Sequence, residues 1–146
     1  MIWIARVYGL AVASLLSLGG AAGAQTYIDM KGTWKGTGEA IVDGPSVHHP
    51  PNAAGKPAAS YRLRVQTFTY KIDGQDGRRF WGTVTGEFAS ERLVGSFSAN
   101  GKSVYMAGQQ GLLDGEVVDA DTIQMCYREA SAALAVVACN EMKRQK

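Results

Sequence analysis

At 146 residues the chain has room for one domain rather than two. Its 15 basic and 13 acidic side chains nearly cancel, and positive charge gathers only in the tail Lys143-Arg144-Gln145-Lys146. This excludes the concentrated basic surface of a nucleic-acid-binding protein.

The chain opens on a secretory pattern. Met1 to Gly9 carries one charge, Arg6. Leu10 to Leu18 is an apolar run too short for a membrane span of about 20 residues, and small residues follow, ending in Ala22-Gly23-Ala24. A charged start, a short apolar stretch and an A-x-A site define a cleaved signal peptide over residues 1–24. The expected mature chain is one domain, 25–146, exported to the periplasm or the extracellular space, with no stable membrane span.

The mature region reads as short alternating runs punctuated by Gly, Asn and Asp, the signature of an all-β meander. In Gly32–Val42, Trp34, Gly36, Gly38, Ala40 and Val42 share one face while Lys35, Thr37 and Glu39 share the other, which predicts a strand with one face inward. Residues 44–60 hold all four prolines of the chain and no periodicity, so a loop is expected there. Tyr61–Ile72 is a strand whose apolar residues change parity: Leu63 and Val65 on one, Phe68, Tyr70 and Ile72 on the other. That change predicts a bulge or change of face near Gln66-Thr67. Asp73 to Gly77 is a turn by composition. In Arg79–Phe88, Phe80, Gly82, Val84, Gly86 and Phe88 form one face. Ser90-Glu91 turns into Leu93–Ser98, and Asn100-Gly101 is the sharpest hairpin signal. Strands Ser103–Ala107, Leu112–Val118, Thr122–Arg128 and Leu134–Lys143 complete the run.

Eight strands joined by tight turns hide their edges best by closing. The expected fold is therefore an eight-stranded antiparallel up-and-down β-barrel, with the first strand pairing the last and an interior either filled or holding one small ligand. Cys126 and Cys139 lie equally far from a hairpin centre between Ala132 and Ala133, so they face each other on neighbouring strands. An even count in an exported chain makes them a disulfide. Parity sets Cys126 apart from Ile123, Met125 and Tyr127 and so on the outer surface.

Gly32-Thr33-Trp34-Lys35-Gly36-Thr37 resembles the Gly-x-Trp first strand of the calycin barrels, the lipocalins and the avidin/streptavidin group. The order of eight hairpin-linked strands is similar too. The resemblance implies that Trp34 sits at the closed end under a basic residue of the last strand, Arg144 or, second, Lys143. Phe80-Trp81-Gly82-Thr83 is loosely similar to an avidin-type strand, but the biotin-contacting set finds no counterpart, and biotin binding is not implied.

Chemistry is sparse. There is no G-x-S-x-G, P-loop or H-E-x-x-H, no residue set for catalysis and nothing that asks for a cofactor. His48-His49 is the most tempting pair, but neighbouring side chains of an extended chain point apart and no third ligand is near. An exposed, flexible loop is the expectation rather than a metal site. The acidic residues Asp114, Glu116, Asp119 and Asp121 lack calcium-loop spacing, and nothing brings Glu39, Glu87 and Asp73 together as an acid/base pair. Most aromatics are needed as core. The binding candidates are Tyr70, Tyr127 and Asn140, as polar contacts in a small cavity near one mouth. Trp81, opposite in parity to Phe80, is a candidate for an exposed subunit or partner interface. The sequence thus points to a non-enzymatic barrel that binds a small apolar molecule. The alternative is an envelope-interaction or inhibitor protein acting through its surface and the 44–60 loop. An enzyme ranks third and last, and an outer sheet face offers a surface for a homo-oligomer.

Overall fold

The computed structural model describes residues 26–49 and 61–146; the expected leader and the 50–60 part of the loop lie outside the described residues. Eight strands follow one another: β1 Gly32–Asp43, β2 Arg62–Asp76, β3 Arg79–Thr85, β4 Ser90–Phe97, β5 Ser103–Ala107, β6 Leu112–Val117, β7 Thr122–Ser131 and β8 Leu134–Arg144. Each pairs with its neighbours in sequence and β8 pairs with β1, closing an antiparallel meander barrel. Closure pairs every strand on both sides and leaves no edge to aggregate. None of the described residues forms a helix.

The alternation in β1 is realised residue by residue: Trp34, Gly36, Gly38, Ala40 and Val42 are buried while Lys35, Thr37, Glu39 and Ile41 are exposed. The strand β2 departs from expectation. Its register against β1 runs unbroken from Arg62 to Ile72, so there is no change of face at Gln66-Thr67. Up to Ile72 the even-numbered residues point inward, and Leu63 and Val65 stay outside, 80% and 71% exposed. The irregularity comes later, between Ile72 and Gly74. There Gly74 lies against the Trp81 ring, where a Cβ would collide with the indole. The turn expected over residues 73–77 shrinks accordingly, with β2 continuing to Asp76.

A second correction falls at the β3–β4 connection. The turn is closed by Gly86 N–H donating to Ala89 O at 2.8 Å, so Phe88 sits on the turn, 51% exposed, and not in the core. Ser90-Glu91 is the start of β4, not a turn. Glu91 shares the inward parity of Leu93 and Phe97 and is buried.

The closed end is packed with Met30, Trp34, Ile72, Phe80, Phe97, Ile123 and Met142. The chain ahead of β1 crosses under it. Gln75 fixes this crossing, accepting from Met30 N–H at 2.6 Å and donating to Ile28 O at 3.0 Å. Tyr27 stacks on Phe97 with ring centroids 5.6 Å apart. Trp34 is fully buried and its indole N–H donates to Met30 O at 2.8 Å. The Arg144 guanidinium lies 4.2 Å over its ring and donates from Nη1 to Lys31 O at 2.8 Å and from Nε to Asp121 Oδ1 at 2.7 Å. Arg144 therefore covers the indole and ties the β1, β6–β7 and β8 ends together.

Cys126 and Cys139 are directly opposed on β7 and β8, with Cα atoms 4.0 Å apart, and are joined by a disulfide. Ile123 and Met125 point inward from the same strand, and Cys139 lies on the exposed face. The bond is compatible with an oxidising, exported location.

Candidate functional site

The opposite end of the barrel is where polar chemistry gathers. Inward parity brings Tyr70 from β2, Val84 from β3, Glu91 from β4, Leu113 from β6, Tyr127 from β7 and Ala138 and Asn140 from β8 to one pocket. The side chain of Asn140 has room because it faces Gly36 and Gly38 of β1, where a Cβ would stand 3.1 Å from Asn140 Oδ1 and 3.1 Å from its Cβ respectively. Tyr70, Tyr127 and Asn140, chosen from sequence, therefore line the same cavity. Its apolar wall is Phe68, Val84, Leu113 and Ala138.

The roof was not expected. Residues 44–49 fold inward over the mouth as a short strap, and His48 and His49 are 3% and 2% exposed. The exposed loop expected for this pair is thus corrected. The reason is local: Gly44 adopts φ 81°, in the left-handed region that favours glycine. A side chain there would run into the Ala133 carbonyl of the β7–β8 turn. This lets the chain reverse and drop into the barrel. Arg62 donates to Gly44 O, Ser46 Oγ donates to Glu129 Oε2 at 3.3 Å, and His49 N–H donates to Ser46 O at 3.2 Å.

Beneath the strap, the His48 ring stands between Phe68 and Tyr127, with centroids 6.2 Å from each and edge-on angles of 68° and 77°. Its Nε2 is 3.4 Å from Glu91 Oε1. The other carboxylate oxygen of Glu91 accepts from the Gln109 and Gln110 backbone N–H groups at 2.9 and 3.1 Å. The β5–β6 turn therefore holds the carboxylate in place. In the orientation that satisfies its neighbours, the Gln66 amide N–H donates to His49 Nδ1 and His48 O, both at 3.0 Å. That makes His49 Nδ1 an acceptor and the imidazole neutral. Burial, then His48, Arg64 and Arg62, carry the His49 pKa down to about 4.

Burial pushes the Tyr70 phenol up to about 12, with Glu91 adding to the rise and the Asn140 amide opposing it. Burial, a hydrogen bond to Glu129 and the nearby carboxylates push Tyr127 up as well; its O–H donates to Glu129 Oε2 at 2.9 Å. Both phenols are neutral at neutral pH. His48 Nδ1 and Asn140 Oδ1 are buried without a partner. Among the described residues no three His, Cys, Asp or Glu side chains converge as metal ligands: His48 turns toward Glu91 and His49 toward Gln66. With the strap in place the free volume is about 20 Å³, enough for roughly one water.

Sequence reasoning missed Glu91 and Gln66, and it set His48 and His49 aside as part of an exposed loop. A signal existed for Glu91, since it shares parity with Leu93, Gly95 and Phe97. An acidic residue on the inward register of a strand marks a polar site. Nothing in the 44–49 pattern announced a buried strap.

The molecule is thus an eight-stranded closed meander barrel with a floor sealed by Trp34 and Arg144 and a mouth capped by two histidines. This architecture is compatible with a calycin-like barrel. Comparison with known proteins finds no matching family model, no matching curated protein and no matching solved structure.

Proposed function

We propose that this chain is an exported, non-enzymatic binding barrel whose ligand is a small, largely apolar molecule taken up at the capped mouth, in the periplasm or the extracellular space. The observation that carries this reading is the pocket itself. An apolar wall surrounds a few convergent polar groups, Tyr70, Tyr127, Asn140 and Glu91, at the strap-covered mouth of the barrel. This is the usual make-up of a small-molecule site. Export is supported by the leader pattern of residues 1–24 and by the disulfide. The non-enzymatic reading is supported by the pocket lining, in which no Ser, Thr, Cys or Lys stands among the described residues.

A second reading, a surface that engages a protein partner or a second copy, is favoured by one observation. Ile41, Leu63, Val65 and Val137 are all exposed on the outer faces of β1, β2 and β8, with Ile41 opposite both Leu63 and Val137. Such contiguous apolar surface is typical of contact sites. In the strap Ser46, His48 and His49 face inward, while Pro45 and Val47 are exposed.

Native mass spectrometry of the exported protein from its own source separates the two. The binding reading predicts a monomer carrying a non-protein mass of small-molecule size. A ligand-free dimer, or a co-purified protein, would replace it with the surface reading.

A further inference from the structure

The strap raises a question of occupancy. A free volume of about 20 Å³ is far below the roughly 300–1,000 Å³ of ordinary ligand pockets. Anything larger than water enters only if the Ser46–His49 strap withdraws. Few polar contacts hold the strap: Arg62 to Gly44 O, Ser46 to Glu129, Gln66 to the histidines and His48 Nε2 to Glu91. Segments tied by few contacts open at the low end of the stability range.

What His48 occupies has definite neighbours. The His48 ring meets Phe68 and Tyr127 edge-on and reaches the Glu91 carboxylate with Nε2. The carboxylate is held by the Gln109 and Gln110 N–H groups of the β5–β6 turn, not by the strap, so it keeps its place when the strap leaves. The vacated space is then lined by Phe68 and Tyr127 and has the Glu91 carboxylate within reach. An aromatic ring carrying a cationic nitrogen fits both features, through a charge-assisted hydrogen bond to Glu91 and through edge-on aromatic contacts of the kind His48 makes. A carboxylate ligand meets Glu91 as a like charge, and a purely apolar one leaves its Oε1 buried without a donor. The positive groups nearby, Arg62 and Arg64, act on His49 at the roof, whereas the field of Glu91 reaches Tyr70 and Tyr127 inside the pocket.

We propose that His48 is a tethered occupant of the barrel's own ligand site: its ring holds the place of the head of a small arylalkylamine, protonated at its nitrogen, and strap and ligand compete for Glu91. This rests on the reading of the mouth as a ligand pocket, and names both the ligand class and what regulates entry.

The test is calorimetric titration of the mature chain at pH 7.5 with benzylamine and with toluene, its neutral counterpart. His48→Ala is expected to bind benzylamine at least about tenfold more tightly than the unsubstituted protein, and at least about tenfold more tightly than it binds toluene. Adding Glu91→Gln to His48→Ala removes the second advantage. Equal benzylamine affinity with and without His48 overturns the tethered occupant. Equal affinity of His48→Ala for the two probes overturns the amine assignment and leaves the apolar pocket standing. Binding of neither probe by either folded protein ends the pocket reading with it. If His48→Ala does not fold, the unsubstituted protein decides through its histidine ring resonances: saturating benzylamine must shift the His48 signals toward those of a solvent-exposed ring, and bound benzylamine with unmoved His48 signals overturns the proposal.

Discussion

Trp34 is the residue on which the closed end depends. It is fully buried among Met30, Ile72, Phe80 and Met142, and no nearby chain is free to fill the space it would vacate. Trp34→Ala is expected to cost about 3–5 kcal/mol, the range for emptying a large aromatic site. Arg144→Ala removes the cation over the indole, worth about 0.5–2 kcal/mol, together with hydrogen bonds to Lys31 O and Asp121. Its side chain is partly open to water, so its loss should cost less than that of Trp34. Urea denaturation of the two variants checks the order, and an Arg144→Ala midpoint at or below that of Trp34→Ala would contradict it. Tyr70 offers an independent check at the other end. Its phenol is pushed up to about 12, so alkaline absorbance titration should show it ionising well after free tyrosine, at about 10. A pocket open to bulk water in the resting state would instead let it titrate with the rest.

Two elements carry testable behaviour, the strap and the last hairpin. In the strap, His49 has a pKa of about 4 when closed and about 6.5 when released. Its depressed value means that the closed form is fully favoured above pH 6.5 and loses this support as pH falls toward 4, because the released imidazole binds a proton that the buried one does not. The charged and polar groups that face it, His48, Arg62, Arg64 and Gln66, add no carboxylate that would reverse the sign. At about 1.4 kcal/mol per pH unit the change reaches an order of 3 kcal/mol. Hydrogen exchange of the His49 amide, normalised for intrinsic rate, should show protection falling over that window, and His49→Gln should flatten the profile. A profile that stays flat in the native protein would refute the closed, neutral strap. In the hairpin, the Cys126–Cys139 bond closes a short segment on directly opposed residues. Cross-links over about 15 residues contribute about 3 kcal/mol, so Cys126→Ser with Cys139→Ser should lower the thermal midpoint measured by circular dichroism while the barrel remains folded. An unchanged midpoint would mean that the bond adds nothing to the native state.

At the level of the whole molecule, the barrel was legible because its logic is local. Parity in β1, tight turns such as Asn100-Gly101 and the symmetric placing of the two cysteines all express neighbouring-strand geometry. Tyr70, Tyr127 and Asn140 could be picked because they are polar residues on inward registers. The strap was not legible, since its burial depends on the reversal at Gly44 and on Gln66 and Glu91, which come from distant strands. Leu63 and Val65 misled for a related reason: apolar side chains suggested an inward face, whereas the unbroken pairing of β1 with β2 keeps them outside. The central claim is that the mouth, and not this outer apolar face, is where a ligand is held. Amide and methyl chemical-shift mapping of the mature protein during titration with toluene tests it most directly. Saturable shifts centred on Phe68, Val84, Leu113 and Ala138 are the predicted result; saturable shifts centred on Ile41, Leu63, Val65 and Val137, with the mouth unmoved, would contradict it.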